Sequence, residues 1–364
     1  MFEMDAHGVP DTPAPSTSGE CVSIAIHESV RSTGPALPAG RGALSSQVVE
    51  LLDHSRPGAD GPSPVTLAAV AEADPYGIDL HLALYTCYEL HYRGFAGVDP
   101  EWEWDPGLLG FRRLLEARFR SALDVDIAPI GPDDDVDREM SEMSVEPIDG
   151  TGPSYFLRDE GTWAQMREYL AVRSLYHLKE ADPHAWAIPR LTGRSKAAFV
   201  AVEFDEYGGG RGDRMHQQLF ADLMDAADLD SSYLGYLDRA PAQVLVTVNL
   251  MSMIGLHRAL RGAAVGHLAA TEITSSPGSR RLADGLDRVG APAACAAFYR
   301  EHVEADAVHE QVMRTDVVGD LIAREPDLHD DVLFGMRAFD LVEGRLADHL
   351  MESWQRGDAA IDLG

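Results

Sequence analysis

The sequence predicts an all-α protein in which about seven helices stack around one core, preceded by a helical N-terminal extension. Three observations predict it. Beyond Pro153, apolar residues recur at helical spacing in one segment after another. Alternating, strand-like runs are nearly absent. Residues that start or stop helices, such as Asp105-Pro106, Asp182-Pro183 and the glycine cluster from Gly208 to Gly212, punctuate the periodic stretches.

Residues 1–40 are rich in Pro, Gly, Ser and Thr and lack periodicity, so disorder is expected there, with any short helix near Val22 to Val30. Leu44 to Leu52 reads as a short helix, followed by a Pro/Gly-rich connection from Arg56 to Pro64. Pro75 to Tyr92 looks helical, with Leu80, Leu84, Cys87 and Tyr88 at helical spacing. Glu89 and His91 in this stretch sit on nearly opposite sides of a helix and cannot hold one metal together. Asp105 as N-cap and Pro106 at the first helical position open a helix to about Leu123. Residues 41–130 thus read as a helical N-terminal region, and the acidic residues 131–153 as a linker to the main domain.

The main domain, residues 154–356 with a tail at 357–364, reads as consecutive helices. They are expected over about Thr162 to Ala181, Gly193 to Tyr207 and Asp213 to Ala227. Ala240 to Glu272 is the most apolar segment and reads as a buried helix or a kinked pair. A Ser/Pro/Gly break is expected at Thr274 to Gly278, then a short helix from Ser279 to Val289. Pro292 opens the helix that carries Tyr299 to Glu310. Asp316 to Arg324 and His329 to Trp354 close the domain.

Composition narrows the function. The chain has 364 residues, 45% hydrophobic and 25% charged, with 60 acidic against 30 basic side chains and a net charge of −30. No basic patch is present to meet nucleic-acid phosphates or an anionic membrane surface. No apolar run approaches the roughly 18 residues of a membrane span, and Met1 to Gly19 carries no secretory apolar stretch, so a cytoplasmic location is expected. Cys21, Cys87 and Cys295 are scattered and odd in number, which argues against disulfides, a zinc ribbon or an iron–sulfur cluster.

One helix carries chemistry. At about 100° per residue, His302, Asp306 and His309 project within about 60° of one another. Two imidazoles and a carboxylate on one face form a ligand set suited to non-haem iron. Glu206 and His216 flank the glycine cluster. An unbroken helix would leave them about 80° out of register, but the glycines allow the backbone to bend and bring them together. Glu203 and Asp205 are alternatives to Glu206 if the helix register differs. Glu180 falls in the last turn of its helix, where the macrodipole disfavours an anion, so Lys179 at the surface or a bound metal inside would have to offset its charge.

In combination, Glu180, then Glu206 and His216, then His302, Asp306 and His309 resemble the ligand pattern of the haem-oxygenase-like diiron oxidases, or iron-containing redox enzymes. The stretches from Lys179 to Arg190 and from Glu206 to Arg211 are also similar to that family, and the resemblance covers roughly residues 155 to 356. It implies a haem-oxygenase-like bundle of about seven helices without haem. It further implies two Fe(II)/Fe(III) ions per chain held by Glu180, Glu206, Asp306, His216, His302 and His309. O2 would be the co-substrate and a small organic molecule the substrate. Outcomes in the family include N-oxygenation, desaturation and oxidative C–C cleavage.

Arg190, His267 and Glu272 are candidate substrate contacts, with Arg258 and Arg261 as further candidate anchors; surface roles and salt bridges are the plain alternatives. His177, His184, His257 and His349 have no assigned role. An electron donor and a homodimer are further expected partners. Two rival readings stand beside the oxidase. One is a metal-free thiaminase-like enzyme on the same fold, and the other is a non-enzymatic protein that binds iron or a partner.

Overall fold

The protein is described here as a computed structural model covering residues 34–58, 64–147 and 149–364, with the side chains of 64–67 and 304–307 outside that description. Cys21, most of the expected disordered start and the short helix near Val22 to Val30 therefore lie outside the described residues. Among the described residues the regular structure is entirely helical, with no strand and no helix long and apolar enough to cross a membrane.

The N-terminal region holds α1 (Ala43–His54), α2 (Pro64–Glu72), α3 (Ile78–Glu89) and α4 (Pro106–Asp126). Asp79 at the start of α3 caps α1 from outside: its carboxylate accepts from the backbone N–H of Leu44 at 3.0 Å and of Ser45 at 2.7 Å. Those are orphan donors that no intrahelical carbonyl reaches. The expected cap at Asp105 is present, accepting from Leu108 N–H at 2.8 Å with Pro106 at the first helical position. The acidic stretch expected as a linker contains α5 (Val136–Met143), capped by Asp135 and burying Val136 and Met140. A short α6 (Pro153–Asp159) follows.

Next come α7 (Trp163–His177), the single turn α8 (Asp182–Ala185), α9 (Gly193–Glu206) and α10 (His216–Ala226). Thr162 and Gln165 form a reciprocal capping box that starts α7. α7 stops at His177, four residues before the expected end. The chain then turns through Leu178–Ala181, and Ala181 takes the left-handed φ of 72°. This early stop takes Glu180 off the helix and into a turn.

α11 (Ala242–Leu256) and α12 (Arg261–Arg288) are the kinked pair anticipated for the most apolar segment, broken at His257–Leu260. Val244 to Gly255 are all buried, so α11 runs through the core with protein on every side. α12 overturns the expected break at Thr274 to Gly278, because it continues through Pro277 as one helix of 28 residues. Pro277 removes one helical hydrogen bond. Packing of α12 against its neighbours offsets that loss, with Ser276 and Ser279 both buried.

α13 (Cys295–Val312) passes through a π-helical stretch, Met313–Gly319, into α14 (Asp320–Arg324), and α15 (His329–Arg356) closes the bundle. α12 packs most extensively on α13 and α15. The α12–α15 contact is backbone on backbone. A Cβ added at Gly266 would stand 2.0 Å from the Val332 carbonyl oxygen, and one at Gly335 would stand 2.1 Å from that of Ala263. α3 packs on α11, and the described residues cluster as one compact unit.

Candidate metal centre

Five of the six expected ligand positions converge in the middle of the bundle. Glu180, Glu206, His216 and His302 are all buried, and one ligand atom from each lies within 4.8 Å of the others. A second buried group, Glu206, Glu272 and His309, meets the same limit. Glu206 belongs to both groups. Asp306 is on α13 between His302 and His309, and its side chain lies outside the described residues.

Each element delivers its ligand for a local reason. Glu206 is the last residue of α9 and His216 the first of α10, and the intervening chain reverses through glycines of positive φ, 69° at Gly208, 62° at Gly209 and 81° at Gly210. A Cβ at Gly208 would strike Met215 N at 2.6 Å, so the reversal needs glycine there. His302 uses Nδ1–H to donate to the Phe298 carbonyl at 2.8 Å, one turn back on α13. That bond fixes the tautomer and leaves Nε2, 3.8 Å from Glu180 Oε1, as the nitrogen facing the cluster. His309 presents Nδ1 to Glu272 at 3.1 Å and to Glu206 at 3.7 Å, while its Nε2 meets Asp205 at 3.1 Å.

The donor atoms fit a metal. Glu180 Oε2 and Glu203 Oε2 are buried without a hydrogen-bond partner, an arrangement that costs free energy unless a cation or proton compensates. His216 Nδ1 stands 2.6 Å from Glu206 Oε2; burial opposes a cation there, but the Glu206 carboxylate outweighs it and holds the imidazole above its usual range. Imidazole and carboxylate donors suit Fe(II). Cys87 and Cys295 are buried free thiols outside both groups.

Electrostatics bind the cluster together. Burial would raise the Glu180 carboxyl, but His177, bonded to it at 3.0 Å, and His302 hold it well below the usual range. Burial, then the charges of Glu206 and Glu272, push Glu203 well up. Burial also raises Glu272, opposed by its bond to His309. For His309 burial opposes the cation, yet the carboxylates of Glu272, Asp205 and Glu206 outweigh it and lift the imidazole to about 9.

A family model described as an iron-containing redox enzyme matches residues 167–344, a span that contains every residue of both clusters. Residues 167–344 belong to the haem-oxygenase-like iron-containing redox enzymes. A search of curated proteins returned no match. The all-α architecture agrees with the haem-oxygenase-like fold of that family, and the buried His/Glu cluster is the candidate metal-binding site.

The other expected site residues fall in different places. Glu272, read from the sequence as a substrate contact, is brought into the candidate metal-binding cluster. His267 is buried, pairs with His184 at 3.1 Å and lines a cavity of about 400 Å³ between α7, α12, α13 and α15. Glu180 and His302 form part of that cavity's wall, so it opens onto the His/Glu cluster. Arg190 is not brought to the site: its guanidinium donates to the carbonyls of Gly255 and Leu256 at the end of α11. Arg261 pairs with Glu325. Lys179, expected at the surface, is buried against Glu89 at 2.5 Å.

Sequence reading left His177 without a role, and gave Glu203 and Asp205 only as substitutes for Glu206. The structure uses all three around the cluster. A signal for Glu272 was present: it is a lone carboxylate in the otherwise uncharged stretch Ala263–Ile273, where burial demands a partner.

Proposed function

We propose that this chain is an O2-dependent non-haem diiron oxidase acting on a small organic substrate. The observation that carries the reading is that one buried carboxylate, Glu206, is shared by two ligand groups. A shared carboxylate between two imidazole–carboxylate sets is the arrangement needed to hold two metals side by side. Glu180, His216 and His302 would complete one half, and Glu272 and His309 the other, with Asp306 adjoining as the family resemblance implies. Irons bound there would supply the electrons that reduce O2 and so activate it as the oxidant.

The chain's own groups prepare the site. Phe298 and Asp205 orient His302 and His309 through the nitrogens that face away from the cluster. Tyr176, Met251, Phe298 and Phe339 line the cavity and restrict water around it. Its volume of about 400 Å³ suits a small organic molecule bound beside Glu180 and His302. The family outcomes of N-oxygenation, desaturation and oxidative C–C cleavage all fit a substrate held there.

Anaerobic titration with Fe(II) is the test. Uptake saturating near two per chain, a transient visible absorption on adding O2, and multiple-turnover O2 consumption that depends on an added substrate are expected. No metal uptake, or uptake unaltered in His302→Ala and His309→Ala, would sink the proposal.

A further inference from the structure

The turn that carries Glu180 is contacted by groups that lie outside the family-matched residues. It sits in the turn Leu178–Ala181 between α7 and α8, next to a residue in a left-handed conformation that a Cβ disfavours. Such a turn persists only where its surroundings over-determine it. Two sets of contacts do so here, and both come from the end of α3 and the residues just after it.

The first set is built on Glu89. The Lys179 ammonium, one residue before the ligand, contacts Glu89 Oε2 at 2.5 Å and sits 4.7 Å from the Tyr85 ring centre and 4.6 Å from that of Tyr92. Tyr233 donates its hydroxyl to Glu89 at 2.8 Å. The second set is built on Arg93, whose guanidinium lies 4.0 Å over the Tyr233 ring. Arg93 Nη2 donates to the Leu178 carbonyl at 3.3 Å and to Gln217 Oε1 at 2.8 Å, and Gln217 Nε2 donates to the Glu180 carbonyl at 2.8 Å. Gln217 directly follows the ligand His216. A single hydrogen-bonded frame therefore ties the turn that carries Glu180 to the helix start that carries His216.

We propose that Glu89 and Arg93 are positioning residues for the Glu180–His216 half of the metal centre, acting through Lys179 and Gln217. This explains why the N-terminal helices are packed on the bundle: they set the separation of two ligands that the family-matched segment alone leaves on a strained turn and a helix start. The other half, Glu272 and His309, is carried by α12 and α13, and its described contacts are to each other, Asp205 and Glu206. The proposal rests on the two-metal reading above, and its signature is selectivity between the halves.

The experiment is stepwise anaerobic Fe(II) titration of the full chain, with melting temperature recorded for each metal-free protein. Wild type and His216→Ala come first, because the step lost in His216→Ala identifies the half in question. Arg93→Met is then expected to weaken that same step by tenfold or more, the range for removing the partners that orient ligands, and to leave the other step unchanged. Gln217→Leu should do the same, and the double variant should lose no more than the worse single. Two unchanged steps in Arg93→Met overturn the proposal. So does equal weakening of both steps in proportion to a fall in melting temperature, since that marks plain destabilisation. Wild type that takes fewer than two irons instead overturns the two-metal reading, and the positioning role with it. If Arg93→Met fails to fold, Arg93→Lys keeps the cation over Tyr233 but cannot span Leu178 and Gln217, and it is judged by the same outcomes.

Discussion

Glu272→Gln tests whether Glu272 is a ligand or only a neighbour. In the metal-free protein its carboxylate, 3.1 Å from His309 Nδ1, leads the carboxylates that raise this imidazole from 6.5 to about 9. A shift of that size is worth about 3 kcal/mol at about 1.4 kcal/mol per unit. The folded pKa is the higher one, so this stabilisation is fully present below pH 6.5 and is lost as pH rises through 9. At pH 7.5 His309 is an imidazolium, whereas a metal ligand must be neutral. Filling its half-site should therefore release about one proton. Glu272→Gln keeps the shape but removes the anion. Proton release should then fall well short of one, and the second iron should bind at least about 100-fold more weakly, above the range for losing an orienting partner. Anaerobic titration calorimetry in two buffers of different ionisation enthalpy reads both quantities. Two irons bound at wild-type affinity with unchanged proton release would refute the assignment.

Other expectations follow from the same geometry. Glu206→Gln should weaken both iron-binding steps together, because that side chain belongs to both groups; loss of only one step would mean it is not shared. His81 is fully buried, donates from Nε2 to the Pro75 carbonyl at 2.8 Å and accepts from Asn249 at 3.1 Å; burial lowers it from 6.5 to about 4. Its neutral form is thus the folded one, and stability is lost as pH falls from 6.5 toward 4. Urea unfolding should show wild type losing about 3 kcal/mol between pH 7 and pH 4 that His81→Gln does not lose. Gly335→Ala puts a methyl 2.1 Å from the Ala263 carbonyl oxygen and should cost about 2–3 kcal/mol by thermal melting. Gly344→Ala on the same helix meets nothing within 4 Å and should stabilise by up to about 1 kcal/mol. Equal effects of the two would contradict the close α12–α15 contact.

Local signals were legible wherever the chemistry is local. Asp105-Pro106 caps α4 because a carboxylate beside free N–H groups does so in any context. The spacing of His302 and His309 placed both on one helix face, and the glycines after Glu206 allowed the reversal that brings in His216. Readings that depended on neighbours fared differently. Ser275-Ser-Pro-Gly278 carries every mark of a break, yet α12 passes through it because α13 and α15 hold the helix on its buried sides. Lys179 looked like a surface cation, and only the arrival of Glu89 from ninety positions away makes its burial tolerable. Arg190 looked like an anchor for a substrate, but the end of α11 supplies the acceptors it uses.

The sequence by itself determined that this chain is all-α and where most helices begin. It also offered most of the side chains that are candidates for metal-ligand chemistry, since periodicity, caps and ligand spacing are properties of short segments. Only the tertiary structure decided how those side chains are shared out. It put Glu206 between two groups, moved Glu272 from the candidate substrate contacts into one of them, and set Glu180 on a turn held by Glu89 and Arg93. The physical reason is that a bundle buries ligands from separate helices in one small volume. There each carboxylate is assigned by the nearest imidazole or cation, and that neighbour is chosen by packing, not by distance along the chain.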